Sequence, residues 1–272
     1  MYGVRTRRPG RLWADSRPVP KGRAATARFS LRRFHSKNYP PGIDRRGCGP
    51  TIPLVRIDPG TRLLFVGDSV TDCGRLRPVG EGSPAALGEG YVAAVDAALG
   101  RLHPERPVRI INMGVSGNTV RDLASRWDAD VTALAPDWLA VLIGINDVWR
   151  QFDGADSAEA VMPDEFRRTY GSLIARTRPR VRRLVLMTPF YVQGERRDPM
   201  RRRMDEYGAI VRELAGAHDA LLVDTQAAMD RALARSDFAA IAGDRVHPTR
   251  AGHEIIARAF LRAIGVTRGY RR

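Results

Sequence analysis

Short apolar runs alternate with segments of helical periodicity from residue 62 to residue 264. The runs with strand character are RLLFV (62–66), VRIINM (108–113), WLAVLI (138–143), RRLVLMT (182–188) and ALLVD (220–224). Apolar residues recur at helical spacing over 91–102, 119–134, 163–177, 199–217 and 250–264. The run WLAVLI is apolar throughout, which is typical of a strand that is buried on both faces. The alternation therefore predicts an α/β domain with a five-stranded parallel sheet covered by helices on both sides.

The positive charge of the chain is concentrated at its N-terminal end. The whole sequence has 45 basic and 30 acidic residues, whereas residues 1–57 alone have 14 basic and two acidic residues, a net charge of +12. This segment has no sustained apolar period, so we predict a basic, disordered extension over 1–57 and a nearly neutral folded domain over 58–272. A nucleic-acid-associated protein that uses the basic extension is the alternative from another functional class. No aromatic and basic reading motif accompanies the extension, so nucleic acid is not the expected partner.

Targeting signals and cysteine usage favour the cytoplasm. Arg7 and Arg8 form a twin arginine, but the residues after them are interrupted by charge and proline where a secretory signal needs an apolar stretch. The longest apolar run, DWLAVLIGIN, is far shorter than the roughly 20 residues of a membrane-spanning helix, so no membrane association is expected. Cys48 and Cys73 are the only cysteines, and two thiols provide no disulfide framework.

Four polar motifs lie where a parallel sheet would place its ligand site, beyond the carboxyl ends of the strands. They are Gly67-Asp68-Ser69, Gly114-Val115-Ser116-Gly117-Asn118, Gly144-Ile145-Asn146-Asp147 and Asp244-Arg245-Val246-His247-Pro248. Each motif alone also fits an ordinary turn or helix N-cap. Their shared position at strand ends, in a fixed order, indicates one site.

The residue types in these motifs suit nucleophilic catalysis. A serine hydroxyl needs a base to remove its proton, and His247 can serve Ser69 in that way. Asp244, three residues earlier, can hold the imidazole in the required tautomer. The backbone N–H groups of Ser69 and Gly117 and the side-chain amide of Asn146 can stabilise a developing oxyanion. No Gly-x-Ser-x-Gly motif occurs, which argues against an ordinary α/β-hydrolase.

This set of residues resembles the SGNH (GDSL) hydrolases, in which four motif blocks supply Ser, Gly, Asn and His. At the matching positions stand Ser69, Gly117, Asn146 and His247, with Asp244 completing the triad. Longer segments, among them GDSVTDCGRLRPVGEG, SGNTVRDL, DWLAVLIGINDVWRQ and DRVHPTRAGH, resemble the bacterial acetylxylan esterase branch over about residues 55–265.

The resemblance implies a flavodoxin-like, three-layer α/β/α sandwich and a serine esterase without a cofactor or metal. It implies a substrate class as well, acetylated sugars such as acetylated xylo-oligosaccharides. A lysophospholipase, a thioesterase or a general short-chain esterase of the same fold is the nearest alternative, and a homo-oligomer is left open. Because the resemblance starts at about Val55, we expect that the native chain begins near that residue.

Several further residues have both a functional and a structural interpretation. Trp149 and Tyr191 follow strands, where each can stack on a sugar ring or pack in the core. We expect Asp68 and Asp147 to fix loops by hydrogen bonding. The remaining expectations are a pocket or interface role for Arg75 and Arg77, a solvated helix face for Arg201, Arg202 and Arg203, a small buried side chain for Cys73, and no metal at His253.

Overall fold

A single six-stranded sheet lies at the centre of the computed structural model, which describes residues 57–154 and 160–266. The strands in chain order are β1 (Arg62–Gly67), β2 (Gly80–Glu81), β3 (Arg109–Gly114), β4 (Trp138–Leu142), β5 (Arg183–Met187) and β6 (Leu221–Val223). Their order across the sheet is β2-β3-β1-β4-β5-β6. All neighbours are parallel except β2, which pairs antiparallel with β3.

Helices connect the strands along the described part of the chain. They are α1 (Ser69–Asp72), α2 (Tyr91–Leu102), α3 (Val120–Trp127), α4 (Ile145–Trp149), α5 (Pro163–Thr177), α6 (Pro199–Ala217), α7 (Thr225–Leu233), α8 (Phe238–Ile241) and α9 (Arg250–Ala263). Two of these helices begin at clear N-terminal capping residues. Thr119 and Asp122 form a capping box at the start of α3, and the Asp198 side chain caps α6 just before Pro199.

Alternate residues of each strand enter two separate hydrophobic clusters, one on each face of the sheet. Leu63 and Phe65 pack with α2 and α9, whereas Leu64 and Val66 pack with α3, α5 and α6. Because successive strand side chains point to opposite faces, a strand that enters both clusters must be apolar throughout. The predicted three-layer α/β/α arrangement is confirmed.

The structure differs from the sequence-based expectations in several places. The sheet has a sixth strand, β2, which is only two residues long and shows no apolar alternation that could have revealed it. The helices α4, α7 and α8 occupy residues for which we predicted no element. The expectation of a solvated face is wrong for Arg201, whose side chain is fully buried and forms ion pairs with Asp205 and Asp230 at 3.0 and 2.8 Å.

The expected basic extension over 1–57 lies outside the described residues, apart from Ile57. That side chain is buried in the cluster on the α2 and α9 face, so the folded domain includes residue 57. In the portion of the chain that the structure describes, no helix combines the length and apolar composition required to span a bilayer.

The register of the three central strands brings their loops together. Gly67 at the end of β1 pairs with Gly114 of β3 on one side and with Leu142 of β4 on the other. The loops that follow these strands therefore leave the same edge of the sheet side by side, as expected for parallel strands.

Candidate active site

Ser69 lies in the tight turn between β1 and the one-turn helix α1. The Asp68 side chain caps this helix by accepting a hydrogen bond from the Val70 N–H at 3.0 Å. The end of β3 approaches α1 very closely, because a Cβ added to Gly114 would lie 2.2 Å from the Asp72 backbone nitrogen. A glycine at this position lets the sheet support the serine turn directly.

His247 and Asp244 form a preorganised pair. The Nδ1 atom of His247 lies 2.6 Å from Oδ2 of Asp244, while Oδ1 of the same carboxylate accepts the backbone N–H groups of Val246 and His247 at 3.0 and 2.7 Å. Partial burial raises the pKa of Asp244, but these hydrogen bonds outweigh it and hold the pKa below its ordinary value. The carboxylate is therefore ionised at neutral pH and can accept a hydrogen bond from a protonated Nδ1 of His247.

Contacts from the chain after β5 hold this turn at the same edge of the sheet. The Arg245 carbonyl accepts the Val192 N–H at 2.9 Å, and the Arg245 guanidinium donates to the Val192 carbonyl at 3.0 Å. The guanidinium also lies 3.7 Å from the centre of the Phe238 ring. These contacts fix the backbone between Asp244 and His247, where Arg245 has a left-handed φ of 67°.

Three hydrogen-bond donors surround the space in front of Ser69. The backbone N–H groups of Ser69 and Gly117 make no hydrogen bond within the described residues. Gly117 has a φ of 82°, and a Cβ placed there would have no atom within 4 Å, so its backbone borders open space. The Asn146 side chain donates one N–H to the Asn118 carbonyl at 2.9 Å, which leaves its second N–H available.

One cavity of about 500 Å³ connects these groups. It is lined by Ser69, Ser116, Gly117, Asn146, Trp149, Arg150, Asp153 and His247. The Trp149 ring lies against the His247 ring at a centroid distance of 5.9 Å. Tyr191, which the sequence also suggested for sugar stacking, is not among the lining residues; it packs partly buried beside the core. Within the described residues, no hydrogen bond joins Ser69 to His247. Hydrogen bonds between catalytic groups often form or shorten only when substrate binds.

Sequence reasoning missed the link between the serine helix and the Gly117 loop. Asp72 accepts hydrogen bonds from the Ser116 N–H at 3.0 Å and the Ser116 hydroxyl at 2.8 Å, and it pairs with Arg77 at 2.7 Å. Arg75 is buried and donates to the Gly114 carbonyl at 2.7 Å, so it holds the end of β3 from which the Gly117 loop begins. Asp72, three residues after Ser69 on a one-turn helix, was the available signal.

A second missed pair lies at the cavity. Arg150 and Asp153 form an ion pair at 3.0 Å and both line the cavity beside Trp149. Charged side chains beside an aromatic ring can bind the hydroxyl groups of a sugar while the ring packs on its apolar face.

Two acids are completely buried behind the site. Burial raises the pKa of Asp68 to about 7, although the Val70 N–H and the nearby His247 act in the opposite direction. Burial likewise raises the pKa of Asp147 to about 8, against the hydrogen bond from the Val120 N–H. Each fixes a loop by accepting a backbone N–H, as expected.

The described residues show no group of three or more His, Cys, Asp or Glu side chains placed to hold a metal ion. Cys73 is half-buried rather than fully buried, and its Sγ lies 3.4 Å from Nε2 of His253. The Tyr91 N–H donates to Nδ1 of His253 at 3.2 Å, so His253 is occupied within the fold. Burial lowers the pKa of His253 to about 4, which keeps it neutral.

A larger cavity, of about 720 Å³, lies at the β2 edge of the sheet. Its polar lining includes Glu81, Asp96 and Arg109, and Glu81 and Arg109 pair with each other. Ser69 and His247 are not among its lining residues, so cavity size alone does not identify the reactive site.

Comparisons with known proteins show to which family the chain belongs. Residues 65–255 match the GDSL-like Lipase/Acylhydrolase family. An acetylxylan esterase from Geobacillus stearothermophilus is 54% identical over 212 residues, which are 78% of this chain and 97% of that protein. A solved mutant of Axe2, an acetyl-xylooligosaccharide esterase from Geobacillus, is 52% identical with a TM-score of 0.77, and covers 80% of this chain and 100% of its own.

Three other solved Axe2 structures are catalytic mutants, in which a serine, a histidine or an aspartate is replaced by alanine. The serine and aspartate mutants are each 52% identical to this chain with a TM-score of 0.77, and they cover 80% of this chain and 100% of their own. The histidine mutant is 54% identical with a TM-score of 0.76, and it covers 77% of this chain and 96% of its own. The chain described here belongs to the GDSL-like lipase/acylhydrolase family.

Proposed function

We propose that this chain is a serine esterase that hydrolyses O-acetyl groups on sugars, with acetylated xylo-oligosaccharides as its substrates. The observation that carries the proposal is the arrangement around one cavity: the Ser69 hydroxyl, the His247–Asp244 pair and three oxyanion donors. All these residues lie within 58–272, the segment to which we assign the hydrolase domain.

The first half of the reaction transfers the acetyl group to the enzyme. Because Asp244 keeps the proton on Nδ1, the Nε2 atom of His247 is free to take the Ser69 hydroxyl proton. The Ser69 oxygen attacks the carbonyl carbon of the acetyl group, and the carbonyl oxygen of the acetyl group becomes an oxyanion. The N–H groups of Ser69, Gly117 and Asn146 stabilise that charge. The bond from carbon to the sugar oxygen then breaks, and His247 gives its proton to that oxygen.

The second half repeats this chemistry with water. His247 takes a proton from a water molecule that attacks the acetyl-enzyme carbonyl. The same three donors stabilise the second oxyanion. Collapse of that intermediate breaks the bond to Ser69 Oγ, which recovers its proton from His247. The products are acetate and a sugar hydroxyl, with one water consumed.

Two observations support the sugar substrate. Trp149, Arg150 and Asp153 line the cavity beside the reacting groups and suit a sugar ring with its hydroxyls. The related Geobacillus proteins are an acetylxylan esterase and an acetyl-xylooligosaccharide esterase.

The test is acetate release from acetylated xylo-oligosaccharides, compared with acetylated fragments of chitin and pectin. We expect the highest kcat/KM on the xylo-oligosaccharides, no activity in Ser69→Ala, and unchanged activity in the control Ser125→Ala, an exposed serine on α3. A preference for another glycan would overturn the assigned sugar. Faster hydrolysis of p-nitrophenyl octanoate than of p-nitrophenyl acetate would instead favour the lipase-like alternative.

We also propose that the enzyme acts in the cytoplasm, on xylo-oligosaccharide fragments of xylan. The support is its cysteine usage, since Cys73 is a free thiol and the chain has only two cysteines. Detection of the enzyme in the extracellular fraction of intact cells would contradict this location.

A further inference from the structure

Asp147 is a fully buried acid that the proposed reaction leaves unused. Its Oδ1 atom accepts a hydrogen bond from the Val120 N–H at 2.9 Å. Its Oδ2 atom is buried and has no hydrogen-bond partner among the described residues. A buried polar atom without a partner costs free energy, so its presence beside Asn146 calls for a functional reason.

The contacts of Asp147 connect the two loops that carry oxyanion donors. Val120 is the first residue of α3 and follows directly on the Gly117–Thr119 segment. The Asn146 side chain, one residue before Asp147, donates to the Asn118 carbonyl at 2.9 Å. Two hydrogen bonds therefore connect α4 with the loop after β3 and with the first residue of α3. Together they set the distance between the Gly117 N–H and the Asn146 amide.

The surroundings of Asp147 favour its neutral form. The pKa of Asp147 is raised to about 8, mainly by burial and in addition by the carboxyls of Asp68 and Asp122, against hydrogen bonds from the Val120 N–H and its own N–H. The other side chains that feel its charge are Arg121 and Tyr207. An ionised carboxylate here would place negative charge behind the donors that must stabilise an oxyanion.

We propose that Asp147 is a positioning residue that, together with the Asn146–Asn118 hydrogen bond, holds the Gly117 and Asn146 donors at the separation the oxyanion requires. The inference rests on the proposed esterase function. It assigns to Asp147 no contact with substrate, so its loss should weaken transition-state stabilisation while leaving substrate binding intact.

The test compares Asp147→Ala, Asp147→Asn and the control Asp128→Asn, an exposed acid next to the end of α3, with the unaltered protein. Each is assayed with p-nitrophenyl acetate from pH 6 to pH 10. We expect Asp147→Ala to lower kcat by about 10–100-fold with KM nearly unchanged. Asparagine keeps the carbonyl that accepts the Val120 N–H, so Asp147→Asn should restore kcat to within about threefold at pH 7.

The pH profile supplies a readout that packing alone would not move. The unaltered protein and Asp128→Asn should lose activity as pH rises through about 8, where Asp147 ionises. Asp147→Asn cannot ionise and should lack that alkaline decline. Circular dichroism confirms that each variant is folded, and Asp147→Asn keeps the test decisive if the alanine variant does not fold.

Three results would overturn the inference, and the first two are an alanine variant with unchanged kcat and an asparagine variant with the same alkaline decline as the unaltered protein. An increase in KM with constant kcat would also overturn it, because it would place Asp147 in substrate binding. Absence of esterase activity in the unaltered protein would instead refute the proposed function.

Discussion

The substitution Asp244→Asn should nearly abolish activity although it changes only one atom of the side chain. The carboxylate of Asp244 uses Oδ1 for two backbone N–H groups, those of Val246 and His247, and Oδ2 for Nδ1 of His247. Asparagine has one acceptor oxygen and one NH2 group. The two backbone donors require the oxygen at the Oδ1 position, so the NH2 group must face Nδ1.

That orientation forces the wrong tautomer. Nδ1 must then accept a hydrogen bond, which moves the imidazole proton to Nε2, the atom that should take the proton of Ser69. We expect kcat to fall by about 10³–10⁴-fold, in line with loss of the base in a serine triad. This corresponds to about 4–5.5 kcal/mol of transition-state stabilisation. KM should change little, because Asp244 is not among the residues that line the cavity.

The assay is steady-state hydrolysis of p-nitrophenyl acetate by Asp244→Asn and Asp244→Ala. The Asp244 side chain is 50% exposed, so in the alanine variant water can replace it and neither tautomer is enforced. The alanine variant should therefore be at least as active as the asparagine variant. An asparagine variant within tenfold of the unaltered protein would refute this account of the hydrogen bonds around Asp244.

Three further predictions follow from the same geometry. Asn146→Ala removes one oxyanion donor and should lower kcat by about 10²–10³-fold at nearly constant KM. Asp153→Ala should raise KM for acetylated xylo-oligosaccharides but not for p-nitrophenyl acetate, because the Arg150–Asp153 pair lines the cavity beside Trp149, where we place the sugar, and is not one of the oxyanion donors. Asp147 has a folded-state pKa of about 8 against an ordinary value of 3.8, so its contribution to stability is present below pH 4 and lost as pH rises through 8. Thermal unfolding should therefore show the Tm of Asp147→Asn rising relative to the unaltered protein between pH 4 and pH 8.

The position of the site could be predicted from the sequence because parallel strands make local patterns meet. Each apolar run marks a strand, and the motifs that contain Ser69, Gly117 and Asn146 directly follow the ends of β1, β3 and β4. Ser69 and Asn146 are far apart in the chain, yet β1 and β4 are neighbours in register, so their loops converge. His247 follows no strand, and its placement depends on the contacts of Arg245 with Val192, which no local pattern shows.

The burial of Arg201 could not be predicted from the residues around it in the sequence. Arg201 belongs to a run of three arginines, which is typical of a solvated face. Helical spacing nevertheless puts it in line with the buried Met204, Gly208 and Val211. One of its partners, Asp230, lies on α7, for which the sequence provided no prediction. A long-range ion pair of this kind can be found only once both elements are placed.

The most direct test of the central claim is to trap the acetyl-enzyme. The protein is quenched in acid during turnover of an acetylated substrate, and its intact mass and peptide masses are measured. The account predicts one added acetyl group, located on Ser69 and absent from Ser69→Ala, with more of it in any variant that deacylates slowly. Sustained acetate release with no acetyl group on Ser69, or full activity in Ser69→Ala, would contradict it.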